Sequence, residues 1–344
     1  MMNSYYKSIF ITNIPSFYKL NLYNEINRLQ NILVIFTGDL IQQRSSDFFD
    51  GKYEFDYINM AGWNILKKLW FVIATVIKVK YDEIVIGGWD SLPLILSAFI
   101  SRKKKNSTVV ESSAIESTLT GVKGFVKRCY FRRITKVYAS GKSQAKLVRL
   151  LNPHINKIII TKGVGIFNIV KQPHYSSKQN ITRFLYVGRL SEEKNLEFLI
   201  DVFNKHPNLT LNIVGYGELE SQLRKIAKEN INFLGGIANA HLSEIYQSND
   251  VFILPSKVEP WGLVVEEALN NGLPLLLSNK VGCAEELLQN GVNGYSFVYD
   301  NEASLISAVE AIRNVETYNA MARNISWMDF EQIKNEQISC YIHG

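Results

Sequence analysis

The chain has 344 residues, enough for two domains of ordinary size, so no metal or disulfide staple is needed to hold a core. With 47% hydrophobic and 20% charged residues it is neither disordered nor fibrous. Residues 1–175 hold 25 Lys and Arg against 11 Asp and Glu, a charge of +14, whereas residues 176–344 hold 13 against 21, or −8. Halves of opposite sign point to two domains with different partners.

The first fifteen residues, MMNSYYKSIFITNIP, contain no long apolar stretch, so no secretory signal is expected. From there short apolar runs alternate with amphipathic stretches. The runs of the first half are SIFIT (8–12), ILVIF (32–36), EIVIG (83–87), STVVE (107–111), KVYA (136–139) and KIIIT (157–161); helical spacing covers 20–29 and 144–151. The longest clean apolar run, 69–77, is nine residues flanked by Lys67, Lys68 and Lys78. A spanning helix needs about 20, so no transmembrane segment is expected. Basic clusters stand at Arg102–Lys105, Lys127–Arg128 and Arg132–Arg133. They read either as a solvated surface or as attraction to anionic lipid or an anionic substrate, with Phe125, Tyr130 and Phe131 as apolar neighbours. The polar stretch 171–182, with Pro173, reads as a linker.

The second half continues with FLYVG (184–188), LTLNIVG (209–215), INFLG (231–235), DVFILP (250–255) and PLLLS (274–278), each followed by a helix-like segment. Unbroken Val, Ile and Leu runs separated by helices indicate parallel strands covered on both faces, an α/β, doubly wound architecture in each half. The stretch 324–341 carries Ile325, Met328, Ile333, Ile338 and Tyr341 at loose helical spacing. It reads as a helix packing back across both domains or as an ordinary terminal helix. The three cysteines, Cys129, Cys283 and Cys340, are odd in number and far apart, which suits a reducing compartment and no zinc site.

Ligands of doubly wound sheets lie beyond the carboxyl ends of the strands. Three segments there carry chemistry. In SKVEPWGLVVEEA (256–268), a loop with Glu259 leads to a helix starting near Gly262, whose free N–H groups make an anion site. Glu259 and Glu267 are then acceptors for hydroxyls beside a phosphate; the competing reading is a pair of exposed helix-end carboxylates. In GRLSEEKN (188–195), Ser191 is expected to cap a helix with Lys194 at its third position. A cation there opposes the helix dipole unless an anion sits beside it, and otherwise Lys194 is an ordinary surface residue. Gly215-Tyr216-Gly217 begins like a dinucleotide fingerprint but lacks the third glycine.

Taken in series, VGRLSEEKN, IVGYGELESQL, INFLGGIANAHLSEIYQSNDVFILPS, EPWGLVVEEALNNGLPLLLS and VGCAEELLQNGVNGYSF resemble the donor domain of glycosyltransferase family 4 over residues 184–297. The Glu-x7-Glu signature of that family is met by Glu259 and Glu267. The resemblance implies a GT-B fold: two Rossmann-like domains facing across a cleft, with the C-terminal helix crossing back to the first. The implied division is 1–170 for the acceptor, 171–182 as linker, 183–324 for a nucleotide-diphosphate sugar, UDP by default, and 325–344 for the crossing helix. It also implies roles. Arg189 and Lys194 hold the donor diphosphate, Glu267 the ribose and Glu259 the transferred sugar. Backbone of Trp261, Gly262, Leu263 and Val264 wraps sugar and phosphate, and Gly188, Gly215 and the 234–237 stretch border the nucleotide.

The chain departs from the family in its first half. Asn13-Ile14-Pro15 stands where many members have a glycine pair, and Glu111 where many have His. Asn13, Pro15, Asp90 and Glu111 are therefore the acceptor-side candidates. Asp90 serves equally as a helix cap, and Glu111 as a structural hydrogen-bond partner. Arg189, Lys194, Glu259 and Glu111 form the catalytic set, with no metal and no cofactor beyond the donor itself. The implied activity is retaining hexosyl transfer to a glycan or lipid-linked glycan for surface polysaccharide or glycolipid synthesis. The setting expected is the cytoplasmic face of an anionic membrane, peripherally attached. A nucleic-acid-binding protein would use the basic half, but no binding motif is present. A non-catalytic partner subunit would not need the intact Arg189, Lys194, Glu259 and Glu267 set.

Overall fold

The computed structural model of the chain describes residues 5–38, 46–114 and 116–344. The first four residues of the N-terminal stretch lie outside that description. The chain divides into two units, Met1–Phe167 with Gln332–Gly344, and Asn168–Glu331.

The first unit is built on β1 (Tyr5–Thr12), β2 (Ile32–Phe36), β3 (Asp56–Asn59), β4 (Lys80–Ile86), β5 (Asn106–Val110), β6 (Lys136–Ala139) and β7 (Lys157–Ile160). They form one parallel sheet in the order β3-β2-β1-β4-β5-β6-β7. Right-handed crossovers place connections that run in opposite directions along the sheet on opposite faces. Helices Ile65–Lys78, Leu92–Ile100, Gly121–Phe131 and Lys142–Leu151 accordingly share one core, in which Val72, Leu94, Tyr130 and Leu147 meet Ile9, Leu33 and Ile84. The alternate strand side chains face the other way. There Phe10 lies 4.9 Å from Tyr23 of helix Phe17–Leu29 and 6.1 Å from Tyr341 of helix Phe330–His343, ring to ring. Tyr341 also stacks on Tyr138 at 4.5 Å.

The second unit repeats the plan with β8 (Arg183–Val187), β9 (Thr210–Val214), β10 (Ile231–Gly235), β11 (Val251–Leu254), β12 (Leu275–Ser278) and β13 (Gly294–Phe297). The parallel order is β10-β9-β8-β11-β12-β13. Both sheets reverse direction beside their first strand, between β1 and β4 and between β8 and β11, which fixes one switch point in each.

Several expectations are corrected here. The terminal stretch is two helices: Val315–Ser326 closes with Trp327 N–H on Asn324 O, and a second begins at Phe330. Residues 168–182 form no helix or strand but are pinned to the second unit. Val170 exchanges two hydrogen bonds with the Asn270 side chain, and Lys178 pairs with the buried Asp250 at 2.7 Å. Tyr130 and Phe131 are buried, so only Phe125 of the three aromatic residues faces outward. Part of the basic cluster is structural. The Arg133 guanidinium donates to Ala98 O and Ser101 O at the end of helix Leu92–Ile100. Arg128 donates to Leu119 O, Lys127 to Thr118 O and Lys105 to Tyr81 O.

Candidate functional site

At the switch point of the second unit, β8 ends in the 188–195 loop and β11 in the 255–262 loop. The two loops are joined by Lys257 N–H on Glu193 O, 2.8 Å. They bring Lys194 Nζ onto Glu259 Oε2 in an ion pair whose side chains are only 13% and 11% exposed. Ser191 makes no side-chain cap and no α-helix starts there. Residues Glu192–Lys194 form a 3₁₀ turn, Asn195 takes a left-handed conformation (φ 58°), and the α-helix runs Leu196–Asn204. Lys194 thus stands just before the N-cap and not in the first helical turn, and the Glu259 carboxylate offsets its charge beside the helix end. Asn is among the few non-glycine residues that tolerate this geometry. Arg189 reaches Glu193 Oε1 at 2.8 Å on the rim of the loop.

The second loop enters helix Leu263–Asn270 through Gly262, at φ 101°, a conformation that favours glycine. The first amides of this helix are those that the sequence offers to an anion. The loop is held from below by the start of the VGCAEELLQNGVNGYSF segment, to which the sequence assigns no role. Gly282 N–H donates to Glu259 O (2.7 Å), Cys283 N–H to Trp261 O (3.1 Å), and Glu259 N–H to Lys280 O (3.2 Å). A Cβ on Gly282 would lie 1.9 Å from Pro260 O, so only glycine allows this approach.

Glu267 is partly exposed on the same helix and accepts a hydrogen bond from the buried Tyr246 hydroxyl at 3.0 Å. Burial pushes its pKa up to about 7, and the Tyr246 bond opposes that rise. Its neighbour Glu266 points into the core and accepts from the Trp261 indole at 2.7 Å. Burial raises its pKa to about 8, against the pull of the indole bond and with a further push from Glu267. Trp261 is therefore a buried prop of the loop; its side chain is not at the surface. Tyr246 and Glu266 were not found from sequence, since only the tertiary fold turns them toward the motif.

Gly215 is held to glycine by Gly188, and Gly188 is crowded by Tyr186. A Cβ on Gly215 would sit 1.9 Å from Gly188 O, and one on Gly188 would sit 2.7 Å from the Tyr186 hydroxyl. Leu190 N–H on Tyr216 O and Gly215 N–H on Gly235 O complete this floor. Leu263 and Val264 lie partly exposed in the first turn of their helix.

The switch point of the first unit has its own polar pair. Asn13, after β1, donates to Asp90, after β4. Asp90 does not cap the following helix, whose N-cap position is Ser91. Glu111, after β5, pairs with Lys19 Nζ at 3.0 Å. Lys19 is a nearly buried residue of helix Phe17–Leu29 that the sequence did not mark, and the charge of Glu111, with neighbouring tyrosines, outweighs burial and raises its pKa. Pro15 lies partly exposed in the turn whose Ser16 N–H bonds Ile14 O, 3.1 Å. Among the described residues no group of three or more His, Cys, Asp or Glu could hold a metal ion.

Residues 170–326 match the family Glycosyl transferases group 1. The sulfoquinovosyl transferase SQD2 of Arabidopsis thaliana is 31% identical over 176 residues, covering 46% of this chain and 33% of that protein. The chain thus matches about a third of that relative's length. Two solved structures match nearly the whole chain. The lipopolysaccharide outer core galactosyltransferase WaaB, in its apo form, gives a TM-score of 0.73 at 14% identity, covering 98% of this chain and 99% of that one. HepE of Anabaena, in complex with UDP and glucose, gives 0.70 at 18% identity, covering 98% and 100%. At these identities the likeness shows the fold, which is GT-B.

Proposed function

We propose that the chain is a retaining glycosyltransferase that moves a hexose-type sugar from a nucleotide-diphosphate sugar, UDP-linked by default, to a glycan or lipid-linked glycan. The observation that carries this reading is the meeting of Lys194 and Glu259 at the switch point, beside the amino end of helix Leu263–Asn270. Cation, carboxylate and free amides converge where a sugar diphosphate offers phosphate oxygens and hydroxyls. The match of residues 170–326 to a glycosyltransferase family and the UDP and glucose held by HepE support the same reading.

In this reading the acceptor oxygen bonds the anomeric carbon as the carbon–phosphate oxygen bond breaks. The leaving diphosphate takes the acceptor proton on the same face, so configuration is kept. Arg189, Lys194 and the helix amides stabilise the charge that builds on the diphosphate. Glu259 positions the sugar and Glu267 the ribose. Asn13, Pro15, Asp90 and Glu111 remain the acceptor-side set, and polysaccharide or glycolipid synthesis at the cytoplasmic face of a membrane is the proposed setting. No resident metal or cofactor is invoked.

The test is a calorimetric titration with UDP, GDP and ADP, followed by a transfer assay with the sugar of whichever nucleotide binds. Lys194→Ala and Arg189→Ala should each cost about 10²-fold in turnover. Absence of binding by all three nucleotides would overturn the reading.

A further inference from the structure

The first unit exposes large apolar side chains on three neighbouring helices. Helix Ile65–Lys78, ILKKLWFVIATVIK, turns Val72, Thr75 and Val76 into the core. The opposite side is apolar as well. Leu66, Trp70, Ile73 and Ile77 follow the i, i+4, i+7, i+11 spacing of one stripe, and Leu66, Trp70 and Ile77 are 75%, 65% and 68% exposed. Apart from its three lysines the helix is apolar on both its core side and its outer side, more than packing against this core uses. Helix Leu92–Ile100 packs beside it and exposes Leu92 and Phe99. Helix Gly121–Phe131 packs beside that one and exposes Val122, Phe125 and Val126, with Val122 at 80% and Phe125 at 60%. The three share one core beneath, so their outward residues lie on the same side of the sheet.

Charge decides what this surface fits. None of the three helices carries Asp or Glu. Exposed Lys67, Lys78 and Lys123 lie on these helices, and the exposed Arg102–Lys104 run and Arg132 follow the ends of two of them, against the exposed Asp90 and Glu116 before their starts. Apolar side chains with an excess of cations on the same helices and at their ends, and a tryptophan among them, are what an interfacial surface presents to anionic headgroups. Among the described residues no helix is long and apolar enough to cross a membrane. The geometry points to these three helices lying in the plane of an anionic bilayer, and we propose this surface as the membrane-docking face. It takes up, and rests on, the membrane clause of the proposed function, and it relocates it. The apolar contacts come from Leu66, Trp70, Ile77, Phe99 and Phe125, since Tyr130 and Phe131 are buried. Leu92 follows Asp90 by two positions, so one end of the surface adjoins the acceptor-side set, as delivery of a lipid-linked acceptor requires.

The experiment is vesicle flotation of the full chain with phosphatidylcholine alone or mixed with phosphatidylglycerol, with UDP titrated in parallel. Binding to the anionic vesicles should exceed that to neutral ones by about 10-fold or more. Leu66→Ser with Trp70→Ser should lower it by at least about 10-fold. Lipids brominated on the acyl chain should quench wild-type tryptophan fluorescence, and Trp70→Phe should lose most of that quenching while still floating. UDP binding should be unchanged in each variant, which separates this inference from the donor-site reading. Failure to float with anionic vesicles would overturn the proposal, as would flotation indifferent to Leu66→Ser with Trp70→Ser. So would a dimer in solution that these substitutions dissociate, which would assign the surface to a second copy of the chain.

Discussion

Lys194 and Glu259 stand 65 positions apart in sequence and neutralise each other at the end of two strands, with both side chains nearly buried. In the proposed function each takes part in donor binding, and each is costly to leave without its partner. Removing one partner strands the other, at about 3–5 kcal/mol for a buried pair. Lys194→Met and Glu259→Leu made singly should therefore lower the urea midpoint. The double variant should recover most of that loss, while nucleotide binding stays impaired. Urea melts beside calorimetry would read this. Additive losses would show that the two do not act as a pair.

Glu267 should govern nucleotide affinity through the ribose. A charged hydrogen bond contributes about 1.5–3 kcal/mol, so Glu267→Ala should weaken binding about 10- to 150-fold. Tyr246→Phe removes the hydroxyl that bonds Glu267 Oε2 and leaves the carboxylate in place, so its loss should be smaller. Unchanged UDP binding in a folded Glu267→Ala chain would remove the ribose assignment.

The adjacent carboxyls Glu266 and Glu267 make stability depend on pH in an unusual direction. Burial raises both, to about 8 and about 7, above the ordinary value of 4.5. The folded chain therefore holds protons that the unfolded chain releases. Their protonated forms favour folding at low pH, and that contribution declines as pH rises from about 4.5 to about 8, then levels off. Glu266→Gln keeps an acceptor for the Trp261 indole without the charge. Thermal melts between pH 5 and pH 9 should show the wild-type midpoint falling across that window by more than the variant's. Parallel curves would mean that Glu266 does not titrate there.

Much of this was readable in the sequence, for reasons that differ by element. β2 is five consecutive buried residues, and nothing but a covered central strand asks for ILVIF. β3 and β13 escaped because they are four-residue strands at sheet edges, DYIN and GYSF; β3 has no fully buried position and β13 is buried only at its two ends. Lys194, Glu259 and Glu267 were visible because their spacing around strand ends carries the chemistry. Tyr246, Lys19 and the 280–283 strut were not, since each matters only through a contact made across the fold. Tyr130 was misplaced for a simple reason. At about 100° per residue, five positions beyond the exposed Phe125 lies about 140° around the helix, on the core side.

The floor of the proposed nucleotide site offers a graded test of backbone packing. Gly215 combines φ 134° with a Cβ position 1.9 Å from Gly188 O, a backbone atom that can yield only if its loop shifts. Gly235 has φ 72°, yet a Cβ there meets nothing within 4 Å. The first substitution adds overlap to strain, and the second adds strain alone. Gly235→Ala should cost about 1–2 kcal/mol, the usual penalty for a left-handed non-glycine residue. Gly215→Ala should cost clearly more, because the 188–190 loop must move off Tyr216. That movement would carry Arg189 and Lys194 with it, so UDP binding should fall in Gly215→Ala and hold in Gly235→Ala. Urea melts and UDP calorimetry on the two variants check both halves. Equal stabilities with equal UDP affinities would show that the Gly188–Gly215 approach does not position the loop.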